Sequence, residues 1–243
     1  MILLFTDFGT EGPYVGQMKA VLHGFAGTVP VVDLMHDAPA ARPKPAAFLL
    51  ASLLPLMPQD AVILAVVDPG VGGPRAPLVV RLDGRTLVGP DNGLFEPAAR
   101  RAAEAEWFEI TWSPESLSAS LHGRDLFAPV AARLASGAAI GGLAVESAAP
   151  RIGADWPDDL PEVIYLDRFG NAMTGLRTGT VQKGQDISLK NIDISHARTF
   201  TDTTPDSIFW YENSNGLIEI AVNGGSAAKT LGLSIGTPVS FDG

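Results

Sequence analysis

Cysteine is absent from the 243-residue chain, which excludes disulfides, thiolate metal sites and a cysteine nucleophile, and leaves the redox compartment open. Basic residues are scarce: 17 lysines and arginines stand against 27 acidic residues, for a net charge of −10. That charge repels phosphate backbones, so no nucleic-acid partner is expected, whereas a small cationic ligand is tolerated. Long apolar runs are missing as well. No window reaches the roughly 18 apolar residues of a membrane span, and the stretch MILLFTDFG has no basic segment ahead of its apolar residues. No membrane partner is expected, and the cytoplasm is the expected location. The chain also lacks a G-x-G-x-x-G fingerprint, a P-loop lysine, a G-x-S-x-G nucleophile elbow and an H-E-x-x-H zinc motif. What it has is 46% hydrophobic content, enough for one large domain or two modest ones.

The apolar segments come in an order. Met1–Phe5 reads as a short strand, and Tyr14, Met18, Val21 and Leu22 have helical spacing, with Pro13 at a helix start. Pro30–Met35 is a second strand, Pro45–Leu56 a buried helix interrupted by Pro55, and Ala61–Val67 a third strand. This βαβαβ order favours a parallel sheet with right-handed crossovers. Asp83-Gly84 between Pro77–Leu82 and Arg85–Val88 marks a hairpin, and Leu126–Ala135 reads as a helix. The composition changes near residue 150, and a proline- and aspartate-rich stretch suits a linker over 153–161. Beyond it, residues 163–166, 187–189, 208–211, 217–222 and 237–241 read as strands separated by Asn-Gly turns. The expected architecture is an α/β domain with a mainly parallel sheet over 1–152 and a smaller antiparallel barrel or sandwich over 162–243.

Carboxylates follow the apolar runs. Asp7 ends the first strand, Asp33 lies within the second, Asp68 ends the third in Asp-Pro-Gly-Val-Gly-Gly-Pro-Arg, and Asp91 sits in Gly-Pro-Asp-Asn-Gly. Any one of these alone reads as turn chemistry. Their recurrence at strand ends, where ligands gather in open α/β sheets, makes Asp68 a candidate for chemistry, with Arg75 closing its glycine loop. Among the histidines, His23 and His196 have ordinary explanations, His36 is a ligand or a satisfied hydrogen-bonder, and His122 stands before a helix where it can face a cleft. Metal binding by Asp7, His36, Asp68, Asp91 and His122 is the second reading, because no pair has metal-motif spacing and a guanidinium at Arg75 competes with a cation.

Taken together, TDFG at 6–9, YVGQMKAV at 14–21, VVDLMHD at 31–37, VVDPGVGGPR at 66–75, GPDNGLF at 89–95, HGRDLFAPVAA at 122–132, DRFGNAMT at 167–174 and NSNGLIEIAVNGGSA at 213–227 form an ordered set. It resembles the S-adenosyl-L-methionine (SAM) hydroxide adenosyltransferases, adenosine-forming SAM hydrolases related to the fluorinase and chlorinase. The resemblance implies an N-terminal α/β domain, a C-terminal β-barrel and a homotrimer whose sites lie between one subunit's N-terminal domain and its neighbour's C-terminal domain, with no metal or organic cofactor. The implied reaction is attack of water or hydroxide on the 5′ carbon of SAM, giving adenosine and L-methionine. It implies a catalytic set of Asp68, Arg75 and His122 around the nucleophile, with Asp7 on the ribose hydroxyls. It further implies that Phe169 stacks on adenine and Asn171 hydrogen-bonds it, that Asp167 meets the methionine ammonium, and that Ser214 meets its carboxylate. Three positions depart from the family pattern: Gly12 replaces a common aspartate, Ala40-Ala41-Arg42 replaces an aromatic wall, and Asn215 stands where the halogenases carry arginine.

The sulfonium of SAM is an activated leaving group, so the barrier lies in placing an oxygen nucleophile in line behind the 5′ carbon. An arginine beside Asp68 makes that carboxylate a poor base, and the sequence leaves open whether His122 takes the proton. A fixed carboxylate at the nucleophile position disfavours halide and favours water. The rivals are a SAM-dependent halogenase, a metal-dependent phosphohydrolase and a non-catalytic SAM- or nucleoside-binding protein.

Overall fold

Ile2–Thr6, buried throughout, forms β1 of the computed structural model, which describes residues 1–137, 142–144, 151–182 and 184–241. Contacts divide the chain into two units, Met1–Trp156 and Pro157–Gly243. In the first, α1 (Tyr14–Phe25) turns Met18 and Leu22 inward, and β2 (Val31–Met35) pairs parallel to β1. α2 (Pro43–Leu53) carries prolines in its first turn, where a missing N–H costs nothing, and β3 (Val62–Val66) returns parallel to β1 on its other side. Ile2, Leu4, Val62, Leu64 and Val66 face a core shared with α1 and α4 (Ala128–Ala135). Leu3, Phe5, Ile63 and Ala65 are buried as well, so both faces of these strands are covered.

β4 (Pro77–Leu82) and β5 (Arg85–Pro90) make the expected hairpin, with Asp83 at φ 48° and Gly84 at φ 91°. It is β5, not β4, that lies against β3, and it does so in parallel. After α3 (Glu96–Arg101) come β6 (Ala105–Ile110) and β7 (Gly142–Ala144), giving the order β2-β1-β3-β5-β4-β6-β7. The β2-β1-β3-β5 half is parallel and the other half antiparallel, so the sheet is mixed. Two-residue turns cannot make the crossover a parallel pair needs. The carboxyl ends of β1, β3 and β5 lie on one edge: Thr6 pairs with Val66, and Leu64 with Val88. Asp7, Asp68 and Asp91 therefore leave the sheet from the same edge.

In the second unit β8 (Leu160–Leu166), β9 (Ala172–Arg177), β12 (Ile208–Glu212) and β13 (Leu217–Val222) form an antiparallel sheet in the order β12-β13-β9-β8. β10 (Ile187–Leu189) pairs with β11 (Ile192–Ile194), and Val163, Ile187, Trp210, Ile218 and Ile220 share one core. α5 (Ala227–Leu231) starts on Ser226, whose side chain accepts from the Lys229 N–H. The expected strand over 237–241 contributes only single bridges, Glu162 to Pro238 and Ser188 to Ser240. Within 153–161, Arg100 donates to the carbonyls of Gly153 and Trp156, and Leu160 opens β8. The composition change near 150 falls on 145–150, outside the described residues.

Candidate active site

The loop after β3 folds back so that Arg75 meets Asp68. The Arg75 Nε lies 3.0 Å from Oδ1 and 2.9 Å from Oδ2, and Nη2 also donates to Oδ2. Both side chains are sequestered, at 9% and 4% exposure. Gly72 permits the fold-back: its φ of 78° is a conformation in which only glycine is at ease, and a Cβ there would sit 2.4 Å from the Ala119 carbonyl oxygen. The guanidinium lies 5.3 Å from the centroid of the Phe127 ring, a cation–π distance.

His122 completes the cluster from a different loop. It precedes a π-helical turn over Gly123–Phe127 that runs into α4, and Gly123 is packed so closely on Phe8 that an added Cβ would sit 3.2 Å from its ring. The Arg75 Nη2 donates to Nδ1 of His122 at 2.9 Å. A guanidinium nitrogen can only donate, so Nδ1 must be the accepting atom and the imidazole proton resides on Nε2. Burial, and then the Arg75 charge, lower the pKa of His122 against the pull of Asp68 and Asp125. The histidine is thus a neutral donor at Nε2.

Asp7 lies close enough to Asp68 to feel its charge. Burial, with that like charge adding to it, raises the Asp7 pKa despite backbone N–H groups that favour ionisation. One of these is the N–H of Ala41, which reaches Oδ2 at 2.8 Å from a residue at φ 54°. Behind Asp7, Thr6 Oγ1 lies 2.8 Å from His36 Nδ1, His36 Nε2 lies 3.0 Å from Asp33 Oδ1, and Lys19 donates to Asp33 at 2.7 Å. Burial works to raise the Asp33 pKa, but Lys19 and His36 together outweigh it and leave it lowered. A groove of about 610 Å³ is lined by Phe8, Gly9, Glu11, Gly12, His36 and Asp37. Asp91 joins none of this. Its raised pKa comes from burial and then Glu109, with Arg151 opposing, and it is the neighbouring Asn92 that braces the edge by donating to the Val67 carbonyl. Among the described residues no group of three or more His, Asp or Glu is arranged to hold a metal ion.

In the second unit Asp167, Phe169 and Asn171 share one turn. Asp167 Oδ1 accepts the N–H groups of Phe169 and Asn171, and Oδ2 accepts the Asn171 side-chain amide at 2.9 Å. Asn171 is buried, and Phe169 is 74% exposed. Gly170 at φ 84° packs against Ser226, where a Cβ would collide with Oγ. Ser214 is exposed in the β12–β13 turn, whose shape is set by Asn213: Oδ1 accepts the N–H groups of Asn215 and Leu217.

Residues 2–144 match the SAM hydroxide adenosyltransferase N-terminal domain and residues 161–240 match its C-terminal domain. The chain belongs to the SAM hydroxide adenosyltransferase family. Among members of the family, a Thermus thermophilus protein named (R)-S-adenosyl-L-methionine hydrolase is 41% identical over 98% of both chains. A protein of the same name from Salinispora arenicola is 38% identical over 95% of this chain and 93% of its own. Of solved structures, an uncharacterized conserved protein from Thermotoga maritima superposes with a TM-score of 0.89 at 27% identity, and a conserved hypothetical protein from Thermus thermophilus with 0.78 at 39%, each over 99% of both chains.

The roles of some residues around the site have no counterpart in local sequence pattern. Thr6 and Asp33 brace His36 behind Asp7, with Lys19 holding Asp33; these are contacts between segments, which the short strand VVDLM does not announce even though Asp33 itself is visible in it. Glu219 had a visible signal, a single acid inside the apolar run LIEIAV. It accepts from Tyr211 Oη and, at 2.8 Å, from the Asn213 side-chain amide, and it is 2% exposed.

Proposed function

We propose that the protein hydrolyses S-adenosyl-L-methionine to adenosine and L-methionine by in-line attack of water on the ribose 5′ carbon. The observation that carries this reading is the locked trio of Asp68, Arg75 and His122, drawn from two loops onto one edge of the sheet in a chain that matches both domains of the family. A water seated there donates a hydrogen bond to an Asp68 lone pair and accepts one from His122 Nε2–H. The O–C5′ bond forms as C5′–S breaks, the bonding pair stays on sulfur to give the neutral thioether of methionine, and the extra proton, strongly acidic once the oxygen is bonded to carbon, leaves through Asp68 to solvent, a step for which even a carboxylate weakened as a base by Arg75 suffices. With Nδ1 held by Arg75, His122 acts as an orienting donor, not a base. Orientation of this kind can supply up to about 7–11 kcal/mol of barrier lowering in ideal models.

Asp7 takes the ribose diol, for which a two-oxygen acceptor is suited. Phe169 offers an open face for adenine, and Asn171, its amide nitrogen engaged by Asp167, offers Oδ1 to the adenine amine. Asp167 meets the methionine ammonium and Ser214 the carboxylate. We extend to this chain the epimer in its relatives' names, so that the sulfonium preferred is the (R) form. The reading includes a homotrimer, no metal or organic cofactor, and a cytoplasmic location; among the described residues no helix is long and apolar enough to cross a membrane.

Incubation with SAM in ¹⁸O-labelled water tests the reaction. The expected product is adenosine carrying the label in its 5′ hydroxyl, formed from the (R) epimer faster than from the (S), with no 5′-halo-adenosine when chloride or fluoride is added and no loss of rate on chelation. Unlabelled adenosine, a halogenated product, or no turnover would each refute it.

A further inference from the structure

We propose that Glu219 is a positioning residue that fixes the Asn213–Gly216 turn and thereby the geometry with which that turn meets the carboxylate of the methionine half. The inference rests on the reading of Ser214 above. Glu219 lies in β13 between the buried residues Ile218 and Ile220, and at 2% exposure it is a charged group where a leucine or isoleucine would pack without desolvation cost. Burial raises its pKa, and the Asp167 charge adds to that, against the hydrogen bonds of Tyr211 and Asn213. An acid kept at such a place needs a reason.

The reason is in its partners. One carboxylate oxygen accepts from Tyr211 Oη and the other from Asn213 Nδ2 at 2.8 Å. Asn213 Oδ1 is taken by the N–H groups of Asn215 at 2.9 Å and Leu217 at 3.0 Å, so its amide nitrogen must point the other way and needs an acceptor. Glu219 supplies it. The turn closes without this help: Gly216 at φ 75° and the backbone bond from Gly216 N–H to the Asn213 carbonyl suffice for a hairpin. What the Glu219–Asn213 pair adds is a single orientation of the Asn213 side chain, which pins the N–H groups of Asn215 and Leu217 and thereby the path of the backbone that carries exposed Ser214. Charge-assisted hydrogen bonds of this kind are the ones that hold a geometry against thermal motion.

Glu219→Leu and Glu219→Gln separate positioning from packing. Leucine keeps the volume and removes both acceptors. Glutamine keeps one acceptor for Asn213 Nδ2, and its amide can donate to the Tyr211 oxygen. The measurements are kcat and KM for SAM, and the binding of two probes: S-adenosylhomocysteine, which carries the amino-acid half, and adenosine, which does not. The expected result for Glu219→Leu is a KM raised about tenfold, the effect of roughly one charge-assisted hydrogen bond, with kcat within about threefold on the same scale. S-adenosylhomocysteine weakens in parallel, adenosine binding holds, and Glu219→Gln restores KM to within about threefold. An unchanged KM, adenosine weakened as much as S-adenosylhomocysteine, or no rescue by glutamine would overturn the proposal. Ser214→Ala, measured alongside, keeps the two readings apart. If it leaves KM and S-adenosylhomocysteine binding unchanged while Glu219→Leu raises KM selectively, the turn acts through its backbone and the Ser214 assignment falls. If Ser214→Ala raises KM and Glu219→Leu does not, the positioning role falls and the carboxylate site stands.

Discussion

Replacing Asp68 by asparagine separates chemistry from structure in one residue. The guanidinium of Arg75 makes three close approaches to the carboxylate, and both side chains are nearly removed from solvent. An asparagine can turn only its Oδ1 to Arg75, and its amide hydrogens then face the site where the water sits, presenting donors where an acceptor is needed. The loss of proton acceptance at a positioned water costs about 10²–10⁴ in rate. The loss of the counter-ion leaves a buried cation, which costs up to about 3–5 kcal/mol when nothing replaces the partner. One neutral hydrogen bond remains here, so about 2–3 kcal/mol is expected, or a fall in Tm of roughly 4–12 °C for a chain of this length. The assay is kcat and KM by adenosine release, with SAM binding to the inactive variant by calorimetry and Tm by scanning calorimetry. Arg75→Met added to Asp68→Asn removes the stranded charge, so the double variant is expected to recover most of the stability and none of the activity. Recovery of activity in the double variant, or unchanged kcat in Asp68→Asn, would refute the role given to the carboxylate.

The remaining predictions concern single side chains. His122 has a folded-state pKa below its ordinary value of 6.5, so below that pH the unfolded chain binds a proton that the folded chain does not, and stability falls as pH falls through and below 6.5. His122→Gln should flatten that slope in unfolding curves taken from pH 8 to 5; an unchanged slope would remove His122 from the acid response. Asp7 has a raised pKa, so adenosine affinity should weaken as pH falls through the carboxylate range, and Asp7→Asn should abolish the dependence; a variant that keeps it would place the titrating group elsewhere. Phe169→Ala removes an exposed ring with little to lose in packing. It should leave Tm within about 1 °C, a shift of a few tenths of a kcal/mol. Adenosine binding should weaken by about 1–3 kcal/mol, the worth of one base stacked on an aromatic ring, and equal loss of affinity for ribose would argue against stacking.

Where the pattern is local, the fold was legible. The uninterrupted burial of ILLFT and VILAV, and the Asp-Gly turn between β4 and β5, are properties of a few neighbouring residues, and each element lies where those residues require it. What local pattern cannot reveal is which strand lies beside which. The βαβαβ order accounts for the parallel strands, but nothing in it says that the hairpin enters in reverse, with β5 against β3 and β4 outside it, so that everything beyond is antiparallel. β9 was missed for a related reason: AMTGLR has a glycine in its middle, which lowers strand propensity, but a Cβ at Gly175 would sit 2.6 Å from the Leu160 side chain, so close packing on β8 demands it.

The site divides along the same line. Asp68, Arg75 and His122 could each be singled out from a glycine loop after a buried strand and a histidine before a helix, the family resemblance joined them into one set, and the structure brings all three together. Their protonation could not be named, because it depends on one contact across 47 residues of sequence. As long as the partner of His122 Nδ1 was unknown, the imidazole could be drawn as the base; once that partner is a guanidinium, accepting a proton at Nδ1 requires breaking the bond that orients the ring, and the remaining nitrogen already carries one. The same logic governs Asp167, three of whose lone pairs are taken by N–H groups of its own turn, which leaves one, on Oδ2, for a further donor. Sequence specifies which groups are present at a site, but the atoms left over for a substrate are those that neighbours in the fold have not taken, and that remainder is a property of the folded chain alone.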